Sequence, residues 1–113
     1  MRVEVTEGPV GVFEEQVLVA VLRLASDAYG MNVRREIERV TEREIAIGAV
    51  YATLDRLEAK GLLASSRPRS ATPPRRLFAV TAAGALALAE TRAMRERLWQ
   101  GVDIRGLIAL AGS

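Results

Sequence analysis

Between residues 30 and 61 the chain carries two short apolar stripes of helical period, separated by the link EIAIG and closed by a glycine. No other feature constrains the fold as tightly. Val33, Ile37 and Val40 recur at i, i+4 and i+7, and Val50, Leu54 and Leu57 repeat the spacing, so each run predicts a helix with one buried face. Gly30 opens the first of these helices, which runs to about Arg43. Gly48 releases the second, AVYATLDRLEAK, and Gly61 stands where a C-terminal glycine is favoured. Two helices joined by a short connection, followed by the extended runs LLASS and RRLFAV, predict a helix-turn-helix with a β-hairpin wing.

The flanks complete the pattern. Residues 13–26 read as a helix with Glu14 and Glu15 in its first turn, where the helix dipole favours acids. The second half of this helix is apolar nearly all round, as in a central buried helix. Thr81 is placed to cap another helix from Ala82 to about Gln100, with Gly101 just beyond. The expected fold is mainly α with a small β-hairpin. Its parts are a flexible N-terminal arm over residues 1–10, a winged helix-turn-helix over residues 11–81, and a C-terminal dimerisation helix and tail over residues 82–113.

Composition narrows the chemistry. At 113 residues the chain fits one domain, and half of its residues are hydrophobic in periodic runs, which argues against disorder. There is no histidine and no cysteine, so the commonest general base and metal ligand is missing and thiolate chemistry is excluded. Gly48, Gly61 and Gly84 are isolated and form no phosphate-binding loop. Acid pairs such as Glu14–Glu15 and Glu36–Glu38 fall on the solvated faces of helices. The sequence therefore predicts no enzyme, no metal and no cofactor. Absence of cysteine suits a reducing cytoplasm. The N-terminus has no apolar signal segment, and no apolar run reaches the roughly 20 residues that span a bilayer.

Charge is unevenly spread. The formal net charge is only +2, yet from Ala59 to Ala89 every charged residue is basic: Lys60, Arg67, Arg69, Arg75 and Arg76. Four of these surround three prolines at the hairpin tip and shoulders. A basic stripe beside a helix-turn-helix is the footprint of double-stranded DNA as partner. Opposite its core stripe, the second helix of the pair presents Gly48, Ala52, Asp55, Arg56 and Ala59, with Ala49 nearby and Tyr51 and Thr53 on the flanks. Small residues allow close approach to a major groove, where Ala52 or Thr53 meets a thymine methyl. Arg56 serves a guanine edge or a phosphate, Tyr51 a phosphate oxygen. Asp55 is a poor neighbour for phosphate unless Arg56 or another basic residue pairs with it.

The runs YGMNVRREIE, IGAVYATLDRLEAKGLL and PPRRLFAVTAAG together resemble the PadR family of bacterial transcriptional regulators, over roughly residues 11–100. The most specific pieces are Gly48-Ala-Val-Tyr51, Leu54-Asp-Arg-Leu57-Glu, and Arg75-Arg76-Leu-Phe78-Ala-Val-Thr81 with Gly84. The length and single C-terminal helix are similar to the short branch of that family. The resemblance implies a winged-helix homodimer on operator DNA, usually acting as a repressor.

One winged helix contacts too little DNA for strong specificity, so a homodimer is expected. Ala87, Thr91, Met94, Leu98 and Val102 form a stripe that nothing obvious in the chain covers, and it is assigned to the dimer interface. A two-fold pair sets its reading helices roughly 34 Å apart on a pseudo-palindromic site. Trp99 reads first as packing in that interface. In a sharper reading it is the wall of a site for a planar apolar effector, as in some relatives. The competing function is a winged-helix protein-interaction module that has lost specific DNA binding, for which Asp55 and the bland outward helix face speak.

Overall fold

The computed structural model describes residues 9–112, and residues 1–8 of the expected N-terminal arm lie outside them. Among the described residues the elements run α1 (Val12–Leu24), α2 (Gly30–Thr41), α3 (Ile47–Ala59), β1 (Leu63–Ser66), β2 (Leu77–Val80), α4 (Ala82–Trp99) and α5 (Ile104–Ala111), with a 3-10 turn over Ala25–Asp27. The fold is a winged helix-turn-helix, mostly helical with one antiparallel hairpin.

α1 is the central element because Val17, Leu18, Ala20 and Val21 are all buried, and α2, α3, α4 and β2 pack around it. It is not apolar-buried all round as its composition predicts. Val19 and Leu22 are exposed, since among the described residues no element covers that face. On α2, Val33 and Ile37 are buried as expected, but Val40 is 54% exposed. Among the described residues the last turn of α2, unlike its first two, is left uncovered. On α3 the stripe Val50, Leu54 and Leu57 is wholly buried. These side chains meet Phe78 of the wing, itself buried, in one continuous core.

Backbone hydrogen bonds set the register. β1 and β2 pair Leu63 with Val80 and Ser66 with Leu77, leaving residues 67–76 as the wing loop. Phe78 N–H donates to the carbonyl of Ala28 at 2.9 Å, and Tyr29 bridges Leu77, so the segment before α2 forms a short third edge on the hairpin. Between α2 and α3, Arg34 Nε donates to the Ile45 carbonyl at 2.8 Å and Glu38 Oε2 accepts from Ile45 N–H at 2.8 Å. One side chain from each charge class of α2 thereby pins the helix-turn-helix turn, which lacks regular structure of its own to satisfy these groups.

Gly61, at φ +80°, ends the turn after α3, and Thr81 ties the base of the wing to α4. The Thr81 hydroxyl accepts from Gly84 N–H at 3.0 Å, as an N-cap does, and donates to the Gly61 carbonyl at 2.6 Å. Gly84 lies so close to the wing base that a Cβ there would overlap the Leu62 carbonyl oxygen. Only glycine admits this approach.

Three expectations about the termini are corrected. Val10 is not part of a loose arm: its amide donates to Thr91 Oγ1 at 3.0 Å and its side chain packs on the core. Ala87 and Thr91 are not an uncovered seam, because both are buried within the chain, with Thr91 Oγ1 also donating to the Ala87 carbonyl at 2.7 Å. The tail is not a bare extension of a single C-terminal helix. Asp103 Oδ1 accepts from Arg105 N–H at 3.1 Å and caps a further helix, α5, whose Ile104, Leu107, Ile108 and Leu110 are exposed. No helix among the described residues is long and apolar enough to cross a membrane.

Candidate nucleic-acid interface

Burying Val50, Leu54 and Leu57 rotates the opposite face of α3 outward. Gly48, Ala49, Ala52, Asp55, Arg56 and Ala59 are exposed there, as the helical wheel predicts, and Tyr51 is exposed at its edge. Thr53 departs from the expectation. It is 3% exposed, with its hydroxyl accepting from Arg56 Nη2 at 3.2 Å. Its register places it on the core side of the flank, so within this chain it is closed to a thymine methyl.

Tyr51 is held by backbone proximity. Its ring lies over Gly30, the first residue of α2, where any Cβ would overlap the ring and the hydroxyl. Glycine at position 30 therefore leaves room for Tyr51 to lie across the start of α2, a role its reading as a simple helix opener missed. Beside it, Arg75 stacks on Tyr29 with its guanidinium 4.0 Å from the ring centroid. Tyr29, Tyr51, Asp55, Arg67, Arg75 and Arg76 together line a cleft of about 410 Å³ between α2, α3 and the wing. The wing loop and the outward face of α3 are thus one surface.

The cations on this surface fall into two groups. Arg67, Arg69 and Arg75 are exposed on the wing. Arg56, Lys60 and Arg76 face acids of the chain itself. Glu14, only 12% exposed in its side chain, accepts from Lys60 Nζ at 3.0 Å and from Arg56 Nε at 3.2 Å. Burial acts to raise the pKa of Glu14, but hydrogen bonds from Lys60, the Gly11 amide and Arg56 outweigh it and hold the carboxyl below its ordinary range. Arg76 Nη2 donates to Asp55 Oδ1 at 2.6 Å, its Nη1 lies 3.9 Å from Glu58, and its guanidinium sits 4.8 Å from the Phe78 ring centroid. The charge polarisation seen along the sequence is therefore partly cancelled in space. Partners of Arg56 and Lys60 lie 42 and 46 residues away, beyond any spacing argument.

On the far side of α1, its exposed Val19 and Leu22 join Leu88 and Trp99 of α4 in an open groove of about 700 Å³, edged by Arg92 and Arg95. Arg95 pairs with Glu15, the neighbour of Glu14, on the rim. Met94 is half-buried, while Leu98 and Val102 are exposed.

A buried three-helix core, a reading-type helix with a small-residue outer face and a basic wing define a winged helix-turn-helix DNA-binding regulator. The chain belongs to the PadR-like family of transcriptional regulators, whose family model matches residues 18–90. RosR of H. salinarum has a similar structure, with a TM-score of 0.67 at 22% identity, covering 90% of this chain and 88% of that one. BpsR of Bordetella bronchiseptica aligns at a TM-score of 0.64 and 18% identity over 90% of this chain and 74% of its own. A PadR family regulator from Eggerthella lenta aligns at 0.60 and 27% identity over 78% and 80%. No curated protein matches the sequence.

Proposed function

We propose that this regulator acts as a homodimeric repressor that reads a pseudo-palindromic operator with α3 and grips the flanking phosphates with its wing. One observation carries the reading: Tyr51 and Asp55 of α3 line one cleft with Arg67 and Arg75 of the wing, and Ala49, Ala52 and Arg69 are exposed. Ala52 is the residue assigned to a base edge, Tyr51 and the three arginines to phosphates. Arg56 and Lys60 are at the margin of this surface and must leave Glu14 to join it. Repression, rather than activation, is carried by the family resemblance.

The dimer draws support from apolar surface that the chain leaves uncovered. Val19 and Leu22 of α1 share a groove with Trp99 of α4, and Leu98, Val102 and, on α5, Ile104, Leu107 and Ile108 are also exposed. Exposed apolar side chains on this scale belong to an association surface. The seam proposed on α4 accordingly keeps Met94, Leu98 and Val102, gains α1 and α5, and loses Ala87 and Thr91.

Trp99 in the groove beside α1 suits a small planar apolar effector. BpsR, whose DNA binding is regulated by 6-hydroxynicotinic acid, gives a small planar ligand, there a polar acid, a precedent in a protein of similar fold. The competing reading, an interaction module without specific DNA binding, draws on the internal pairing of Arg56, Lys60 and Arg76. An electrophoretic shift against the DNA upstream of the protein's own gene separates the two. Tight binding that outlasts a large excess of random DNA is expected. Binding that vanishes equally for all sequences at modest salt favours the module.

A further inference from the structure

Asp55 is an exposed acid in the middle of the surface assigned to DNA, 62% exposed in its side chain, and its partner Arg76 is the least exposed of the wing arginines. Arg76 is also backed by Glu58, whose Oε2 is fixed by a hydrogen bond from Ser65 Oγ at 2.7 Å, and by the face of Phe78. A phosphate approaching this guanidinium meets the charge of Asp55 first and must displace it from a 2.6 Å hydrogen bond. Arg75, one residue earlier, lies on the Tyr29 ring and among the described residues pairs with no acid. Two adjacent arginines are thus in opposite electrostatic settings.

We infer that Asp55 is a positioning residue that lowers nonspecific DNA affinity by holding Arg76 against α3, so that Arg76 braces the wing instead of neutralising a phosphate. The inference rests on the DNA-binding reading above and refines it. Nonspecific binding is built almost wholly from cation–phosphate contacts, each releasing counterions. An arginine withheld from phosphate therefore lowers nonspecific affinity. It also fixes the angle of the wing relative to the reading helix, because Asp55 and Glu58 are both on α3.

The test is a salt series of fluorescence anisotropy titrations with a random-sequence duplex, for the unmodified protein, Asp55→Asn, Arg76→Ala and the double variant. Asp55→Asn frees Arg76. It should steepen the log–log salt slope by about 0.9 and tighten random-duplex binding roughly eightfold at 0.1 M salt. Arg76→Ala alone should leave the slope unchanged, and the double variant should return to the unmodified value. Asp55→Ser serves as the second probe if the asparagine variant unfolds. An unchanged slope in both Asp55 variants overturns the inference. So does a gain that survives in the double variant, which would make Asp55 a simple repulsive charge, or a slope reduced by Arg76→Ala alone. An unmodified protein that binds no duplex overturns the DNA-binding reading itself.

Discussion

The guanidinium of Arg75 stacks on the ring of Tyr29, 4.0 Å from its centroid, and so joins the wing loop to the residue that caps α2. A stacked arginine is restrained in direction yet keeps its charge and its donors. This makes Arg75 the wing cation best prepared for a phosphate. Arg75→Ala should weaken binding to operator and random DNA alike and reduce the salt slope by about 0.9. A slope equal to that of the unmodified protein would take Arg75 off the DNA backbone.

Between α1 and α2 a different charge cluster makes a prediction about pH. Glu36 accepts from Arg39 Nη2 at 2.7 Å and from Arg23 Nε at 2.6 Å. Hydrogen bonds from Arg39, then Arg23, lower its pKa from 4.5 to about 2. A folded-state pKa below the unfolded one means that the contribution is complete above pH 4.5 and is lost as pH falls toward 2. Acid unfolding followed by circular dichroism should therefore be less steep across this window in Glu36→Gln. An identical acid limb in both proteins would contradict the assignment.

Leu98, 71% exposed in the single chain, tests the association surface. Leu98→Arg should change the stability of the isolated chain by no more than about 0.5 kcal/mol, because the side chain faces water. In a two-fold dimer the same change sets an unpaired charge beside its symmetry mate, a costly burial that acts on both copies. Sedimentation should shift toward monomer and operator affinity should collapse. A variant that sediments and binds normally would remove Leu98 from the seam.

Much of this architecture is legible in the chain because its signals are local. The stripe on α3, the Thr81 cap and the glycine after Lys60 each depend on residues within a turn or two of one another, and each stands where the periodicity puts it. The misreadings come from what lies across a helix. Val40 continues a perfect i, i+4, i+7 spacing, but among the described residues nothing covers it. Ala87 and Thr91 belong to a stripe that is continuous along α4. Packing divides it, as the first half faces the chain's own core and the second half passes beyond. Asp103 caps α5, a short helix that carries Gly106 and follows Gly101 closely, which leaves it little periodicity to read. The pairing of Asp55 with Arg76 needs the wing folded onto α3 and has no sequence signature at all.

The central claim, that α3 reads the operator, is tested most directly at Ala52. Its side chain is exposed, so Ala52→Glu should alter stability by only about 0.5 kcal/mol and leave the fold and assembly intact. It also sets a bulky anion on the face assigned to the major groove. Competition anisotropy on a selected operator should show that the variant no longer prefers it over random DNA, while the unmodified protein does. A variant that still selects its operator would show that another element does the reading.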